Sequence, residues 1–172
     1  MLARMRDWIP IPGTGKARLV EAAVYQFEVA GYEPVNVTEL ASKAGVTTGS
    51  LYHHFGSKLG LYLLVRDEME GRIVERMQGA AAASPGADAA RVALLVAFDA
   101  AVHFDVCRIL AEPVPVERED PVAGLLQSLA PSGLEVAGAV QAAAWRAALL
   151  AVADGTPTAT ARASLEHLLR PA

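Results

Sequence analysis

The sequence predicts an all-α protein, because two observations hold along the whole chain. Apolar residues return at intervals of three and four positions, as on the buried face of an amphipathic helix. No segment alternates apolar with polar residues in the manner of a half-buried strand. The 172 residues are 53% hydrophobic and 20% charged, which suffices for a compact core and argues against general disorder.

Two helices are predicted first. Apolar residues at helical spacing, closed by Gly31, predict a helix over 15–31. Asn36 followed three positions later by Glu39 has the spacing of a capping box, in which the Asn side chain accepts hydrogen bonds from first-turn N–H groups. The second helix is therefore expected over 37–44.

The next two helices follow from a turn and two caps. Gly45 suits a sharp turn, since a residue without Cβ adopts the left-handed conformation easily. Thr47 then caps a short helix over 48–54. Ser57 opens a longer amphipathic helix over 58–78.

The rest of the chain predicts four more helices. Gly79 to Ala87 is read as a loop, after which Asp88 caps an apolar helix. Prolines between residues 113 and 121 predict extended backbone, and Thr156-Pro157 opens the last helix. The four helices are expected over 88–104, 121–130, 134–153 and 157–169.

Composition excludes several classes of protein. No apolar run approaches the length of a membrane span, and the N-terminus lacks the pattern of a signal peptide, so a cytoplasmic location without membrane contact is expected. A single cysteine, Cys107, excludes an intramolecular disulfide and a cysteine-rich zinc site. We expect no metal and no cofactor.

Charge is divided unevenly along the chain. The formal net charge is −4. Residues 1–66 hold seven Lys and Arg against five Asp and Glu, whereas residues 67–172 hold eight against fourteen. A locally basic face can bind phosphates while the remainder stays acidic, so the overall sign does not exclude a nucleic-acid partner.

The second and third predicted helices, joined by a turn at Gly45, form a helix-turn-helix. In this geometry the second helix can enter the major groove of DNA. The third helix begins with small hydroxyl side chains suited to base edges, and His53, His54 and Tyr52 follow as donors for phosphates. Lys58 starts the next helix, where the positive end of the helix dipole also favours a phosphate.

The segment VTELASKAGVTTGSLYHHFGSK, residues 37–58, resembles the DNA-binding signature of TetR/AcrR-type transcriptional repressors. The resemblance extends back through Arg18, Phe27 and Gly31-Tyr32 and forward to Leu61. It implies a homodimer with an N-terminal three-helix DNA-binding head, followed by a small helical domain that binds a small-molecule effector and dimerises through its last two helices. The expected boundaries are an arm over 1–14, the head over 15–60, and the effector and dimerisation domain over 61–172.

The resemblance also assigns roles to individual positions of the head. It places Thr48, Gly49, Ser50 and His53 on the groove-facing surface. Phosphate contacts are implied for Thr38, Tyr52, His54 and Lys58, and core packing for Leu40, Ala41, Val46, Leu51 and Phe55. Thr47 is one of the small hydroxyl side chains expected near base edges. A metal shared by the two histidines is not expected, because adjacent side chains project about 100° apart on a helix.

Two features of the head leave alternatives open. Gly60 departs from the family pattern and predicts a looser start to the fourth helix, since glycine costs up to about 1 kcal/mol relative to alanine. The arm, with Arg4, Arg6 and Lys16 around Trp8, is either a disordered tail or a contact to the minor groove or backbone.

Candidate effector contacts lie mainly in and after the apolar helix over 88–104. Asp99 and His103 are four positions apart and face the same way, as an acid-base pair, as ligand contacts or as an ordinary hydrogen-bonded pair. Cys107 is expected to be a buried small apolar residue rather than a redox sensor. The proposed pocket consists of Phe98, Asp99, His103, Phe104, Cys107 and Trp145.

The helix over 134–153 is rich in alanine and apolar on most of its circumference. Such a helix needs cover on more than one face, and small side chains let helices approach closely. A subunit interface shared with the last helix would provide that cover; an intramolecular bundle is the alternative.

The predicted function is a sequence-specific regulator that binds a palindromic operator as a homodimer, most simply as a repressor released by its effector. The half-sites would then lie about one helical turn apart, 34–36 Å, or a multiple of it. An enzyme is not expected, because the chain has no phosphate loop, nucleophile elbow or metal-ligand spacing. The alternative is a helical ligand-binding or interaction module that has lost specific DNA binding.

Overall fold

The structure, a computed structural model, describes residues 13–169, and this range contains nine helices and no strand. The predicted all-α class is confirmed. The helices are α1 Gly15–Ala30, α2 Val37–Lys43, α3 Thr48–Phe55, α4 Lys58–Ala83, α5 Ala89–Phe104, α6 Cys107–Ala111, α7 Pro121–Leu129, α8 Ala137–Ala153 and α9 Thr158–Leu168.

The chain divides into two compact units, an N-terminal unit that ends at Glu68 and a C-terminal unit that begins at Met69. Helix α4 runs through this division, which lies later than the boundary expected at residue 60. Along the described part of the chain, no helix combines the length and apolar character needed to cross a membrane.

The predicted caps fix the helices of the N-terminal unit. The side chain of Asn36 accepts hydrogen bonds from the backbone N–H groups of Thr38 at 2.8 Å and Glu39 at 3.4 Å. The Thr47 hydroxyl accepts one from the N–H of Ser50 at 3.2 Å. These bonds satisfy N–H groups that have no partner inside their own helix, so α2 and α3 begin where the sequence predicts.

The core of the N-terminal unit is apolar and closely packed. Phe27 and Tyr62 are almost fully buried, with their rings edge to face at 5.0 Å between centroids. Tyr32 packs on Tyr62 at 4.9 Å. The other fully buried side chains include Leu19, Val20, Ala23, Leu40, Leu51, Leu61 and Val65.

The C-terminal unit departs from the predicted helices in three places. Helix α4 continues to Ala83, because the alanines of the supposed loop are strong helix formers and only Pro85 prevents further helix. The five-residue α6 was not predicted. Helix α8 begins at Ala137 rather than at 134, after a turn in which Gly133 has a φ of +87°.

Two predicted helix starts in the C-terminal unit also differ in detail. The Asp88 side chain makes no capping hydrogen bond, because its carboxylate binds the guanidinium of Arg91 at 2.9 Å instead. Pro157 occupies the N-cap of α9 rather than its first helical position.

Helix α8 packs against α6, α7 and α9. Its start lies very close to α7, because a Cβ at Gly138 would overlap the Ala123 carbonyl oxygen and lie 2.6 Å from the Gln127 nitrogen. The Gln127 side chain also donates to the Leu134 carbonyl at 2.8 Å and accepts from the Gly138 N–H at 3.0 Å. Glycine is therefore required here for the two helices to meet.

Candidate nucleic-acid interface

Helices α2 and α3 form the predicted helix-turn-helix. Gly45 in the turn has a φ of +64°, the left-handed conformation that favours glycine. Leu40, Ala41 and Leu51 are buried where the two helices meet α1, as expected for packing residues. Val46 and Phe55 are only half-buried, so they close the edge of this core rather than its centre.

The opposite side of α3 is polar and exposed. Tyr52 is 53% exposed, so it is not a core aromatic. His53 and His54 are exposed and contact each other edge to face at 5.1 Å between ring centroids. Of the other residues that the sequence assigns to DNA, Thr38, Thr47 and Gly49 are exposed and Thr48 and Ser50 are half-buried.

The start of α1 lies beside the start of α3. A Cβ at Gly15 would lie 3.3 Å from Val46 and 3.9 Å from the Ser50 hydroxyl. Thr14 caps α1 by accepting a hydrogen bond from the Ala17 N–H at 3.2 Å. The structure thus brings the first turn of α1 and the first turn of α3 to the same surface.

Arg18 connects the turn of the helix-turn-helix to the backbone before α1. Its spacing in the sequence does not reveal this role. Its guanidinium donates to the Ala44 carbonyl in the turn of the helix-turn-helix and to the Gly13 carbonyl before α1, each at 2.9 Å. The first partner is 26 positions away, so only the family resemblance marked Arg18 beforehand.

Lys58 lies against the connection between α1 and α2. Its ammonium donates to the carbonyl oxygens of Tyr32 at 3.0 Å and of Glu33 and Val35 at 3.2 Å each. It also lies 4.3 Å from the centre of the Tyr32 ring. Because a lysine has three N–H donors, these three carbonyls can accept from all of them, and the phosphate contact expected for Lys58 stays a prediction.

Gly60 also corrects an expectation. A Cβ at this position would overlap the carbonyl oxygen of Phe55, which is backbone and cannot move as a side chain does. The Gly60 N–H donates to the Ser57 hydroxyl at 2.9 Å, which confirms Ser57 as the cap of α4. The glycine therefore permits a close approach of backbone, and it does not mark a loose start of the helix.

Most of the expected N-terminal arm, including Arg4, Arg6 and Trp8, lies outside the described residues. Lys16, the remaining cation of that group, is in the first turn of α1, and its ammonium lies 6.0 Å from the centre of the Phe55 ring.

The six expected effector contacts differ in their burial. Phe98, Cys107 and Trp145 are buried in the core, whereas Asp99 and His103 are exposed. Phe104 is half-buried, and its ring lies 4.6 Å from the guanidinium carbon of Arg76. A shallow groove on α9 is lined by Ala159, Thr160, Ala163, Ser164, His167 and Leu168.

Asp99 belongs to a surface ion pair between helices. Both of its carboxylate oxygens accept hydrogen bonds from Arg162 on α9, at 2.7 and 3.0 Å. This hydrogen bond, partly opposed by burial, raises the pKa of Arg162. The carboxylate therefore holds α5 to α9, which is a structural role.

A network of four charges inside the C-terminal unit was not predicted. The side chain of Glu70 on α4 is only 3% exposed, and its carboxylate accepts a 2.6 Å hydrogen bond from Arg118. Arg146 on α8 lies 4.0 Å from the same carboxylate and binds both oxygens of Asp120. Glu70 lies three positions before the fully buried Ile73 on α4, and this helical spacing is the sequence signal that marks it as buried.

Asp120 has two tasks at the start of α7. Besides binding Arg146, it accepts hydrogen bonds from the N–H groups of Val122 and Ala123, each at 3.1 Å. Burial acts to raise the pKa of Asp120, but the hydrogen bond from Arg146 and those from the backbone outweigh it, so the pKa lies below its ordinary value.

Residues 19–65 match the family of bacterial regulatory proteins called the tetR family. The chain is 34% identical over 61 residues to the A-factor receptor protein of Streptomyces griseus, and 33% identical over 64 residues to the HTH-type transcriptional repressor AcnR of Corynebacterium glutamicum. These matches cover 36% and 37% of this chain, and 22% and 34% of the two relatives, so the chain spans about a fifth and a third of their lengths.

The fold of the whole chain matches as well. A crystal structure of a TetR-like transcriptional regulator from Rhodococcus sp. RHA1 aligns with a TM-score of 0.64 and 21% identity, over 90% of this chain and 93% of the other. The match extends beyond α4 into the C-terminal helices. At 21% identity it is evidence for the fold alone. The N-terminal domain of this chain, which contains the helix-turn-helix, therefore matches the tetR family of bacterial regulatory proteins, and the chain as a whole shares the fold of a solved TetR-like regulator.

Proposed function

We propose that the protein is a ligand-responsive transcriptional repressor that binds a palindromic DNA operator as a homodimer. One observation carries the proposal: α3 presents an exposed polar face on a helix-turn-helix whose sequence matches the tetR family. Hydroxyl groups at the start of α3 suit base edges, and Tyr52 and His54 further along suit phosphates. The relative named as a repressor supports the direction of control.

The surface of α8 and α9 supports the homodimer. Val136, Val140 and Leu168 are 68%, 63% and 70% exposed, which leaves apolar side chains on both helices uncovered within one chain. A second copy seated on these helices would cover them, and a two-fold axis would present two α3 helices to two half-sites. The substitution Val140→Glu should then shift the mass measured by light scattering from dimer to monomer, whereas Val116→Glu, in an exposed loop, should not.

Two buried polar atoms of α8 support the binding of a small molecule. The indole N–H of Trp145 and the side-chain oxygen of Gln141 are buried and have no hydrogen-bond partner among the described residues. They lie one helical turn apart, so their side chains share a face of the helix. A ligand with a hydrogen-bond acceptor and a donor would satisfy both, and the relative named as a receptor makes ligand control a reasonable expectation.

Selection of bound fragments from randomised duplex DNA, at about 0.15 M salt, tests the function. We expect a palindrome whose half-sites are about one helical turn apart or a multiple of it. Binding that shows no sequence preference by folded protein would contradict the proposal and favour a helical module without specific DNA binding. Thermal-shift screening of small molecules, followed by release of the selected operator, then tests ligand control.

A further inference from the structure

We propose that the small molecule bound by the C-terminal unit is an uncharged, largely apolar compound with a hydroxyl group, held by Trp145 and Gln141 of α8. This inference rests on the proposed function, because it names the chemical class of the ligand. Among the described residues, the indole N–H of Trp145 has no acceptor and the side-chain oxygen of Gln141 has no donor. A molecule that satisfies both must therefore supply an acceptor and a donor, and a hydroxyl group can do either.

The two polar atoms are not explained by the fold itself. Trp145 lies on the buried stripe of α8 with Gly138, Ala142 and Leu149, where an apolar side chain would pack as well. A leucine in place of Gln141 would fill a similar volume without leaving a buried oxygen unpaired. Since a buried polar atom without a partner costs free energy, the pair is a liability in the free protein that a ligand would remove.

The charges beside Trp145 balance one another. The guanidinium of Arg146 lies 5.8 Å from the centre of the indole ring and binds both carboxylate oxygens of Asp120. It also lies 4.0 Å from the carboxylate of Glu70, which accepts a hydrogen bond from Arg118. Two carboxylates and two guanidiniums leave no net charge for an ionic ligand to neutralise. Because an unpaired charge is costly to bury, an uncharged ligand is expected.

The helices packed against α8 supply an apolar lining. Helices α5, α6 and α7 each contact α8, and their fully buried side chains include Phe98, Ile109, Leu110, Val122 and Leu126. Since the two polar atoms are also buried, a molecule reaches them only when α8 moves away from a neighbouring helix. An apolar body with one polar end would replace the contacts that this movement breaks, and its binding would favour the moved arrangement.

The ligand-free protein provides the first test. Gln141→Leu is compared by urea unfolding with Gln78→Leu, which makes the same change at an exposed position of α4. We expect the midpoint of Gln141→Leu to equal or exceed that of the control, because the substitution removes an unpaired buried oxygen. A lower midpoint would overturn the proposal, since it would mean that the oxygen already has a partner, such as a buried water, in the free protein.

Four matched probes provide the second test. The chain has two tryptophans, so Trp8→Phe makes Trp145 the only one and its fluorescence reports binding. The probes are n-octanol, methyl octyl ether, octanoate and n-octylamine. We expect n-octanol to bind about tenfold more tightly than the ether, which accepts but cannot donate, and the two ions to bind more weakly than either.

Substitutions assign the preference to the two residues. In the Trp8→Phe background, Gln141→Leu should abolish the preference for the alcohol over the ether, whereas Gln78→Leu should keep it. Trp145→Phe, followed by thermal shift, should weaken the alcohol and the ether by a similar factor, because both supply an acceptor.

Three results would overturn the proposal: no binding of n-octanol, equal binding of all four probes, or a preference for an ion. None of these measurements uses DNA, so a failure of specific DNA binding would contradict the proposed function without affecting them. Binding of n-octanol with the expected preference, but without release of the selected operator, would keep the site and contradict the ligand response.

Discussion

Replacing Gly60 by alanine should destabilise the protein, although helix propensity predicts the opposite. Alanine is favoured over glycine in a helix by up to about 1 kcal/mol. A Cβ at Gly60 would overlap the backbone carbonyl oxygen of Phe55, so the start of α4 would have to move away from the end of α3. Insertion of a methyl group into a packed site costs about 1–3 kcal/mol, and the net loss should be about 1–2 kcal/mol.

Helix α4 contains its own control. A Cβ at Gly71 would meet nothing within 4 Å, and this residue is exposed in the interior of the same helix. Gly71→Ala should therefore stabilise by about 0.5–1 kcal/mol, since alanine restricts the unfolded chain without any clash. Both substitutions replace glycine by alanine in the same helix. Their changes in the free energy of unfolding should therefore differ in sign only because their surroundings differ.

Urea unfolding followed by far-UV circular dichroism measures both effects. The midpoint of Gly60→Ala should fall and that of Gly71→Ala should rise, with similar dependence on urea concentration. A rise in both midpoints would refute the reasoning, because it would mean that Gly60 has room for a side chain and that propensity decides the outcome.

Three other predictions concern the site and the C-terminal unit. Asp120→Asn should keep the cap of α7 but lose the pair with Arg146, while Asp120→Ala should lose both, at a further cost of about 0.5–2 kcal/mol in thermal unfolding. Because the pKa of Asp120 is lower in the folded protein, its stabilising effect is present above the ordinary pKa and should disappear as the pH falls below about 4, so an acid titration of Asp120→Asn should be flatter than that of the unaltered protein. Ser50→Ala should change which bases are preferred in a repeated selection, whereas Tyr52→Phe should weaken all sequences by a similar factor of about 2–10; unchanged binding in both would contradict the proposed docking of α3. Gly138→Ala should lower the melting temperature, because α7 leaves no space for a Cβ, and an unchanged value would show that the two helices can separate at little cost.

Local signals explain why most of the N-terminal unit could be predicted. The side chains of Asn36 and Thr47 bind N–H groups two or three positions away, and Gly45 acts through its own φ angle. Each signal is complete within four residues, so no knowledge of the tertiary fold is needed to read it. The predicted bounds of α1, α2 and α3 accordingly lie within one residue of those observed.

The features that could not be predicted depend on contacts that are distant in sequence. Arg18 and Lys58 are ordinary surface cations by their spacing, and only the folded chain brings carbonyls 26 positions away to them. The overlap at Gly60 likewise requires the angle between α3 and α4. Helix α6 could not be predicted for another reason. Its five residues are too few to show a helical period.

The buried Glu70 carboxylate has a consequence for how this chain can vary. Loss of Arg118 alone would remove a 2.6 Å ion pair from that buried carboxylate, and breaking a buried pair on one side typically costs about 3–5 kcal/mol. Joint replacement of both residues by apolar ones removes the buried charge together with its partner and should cost far less. These two positions, 48 residues apart, are therefore expected to co-vary among homologues, with acid and guanidinium kept or lost together.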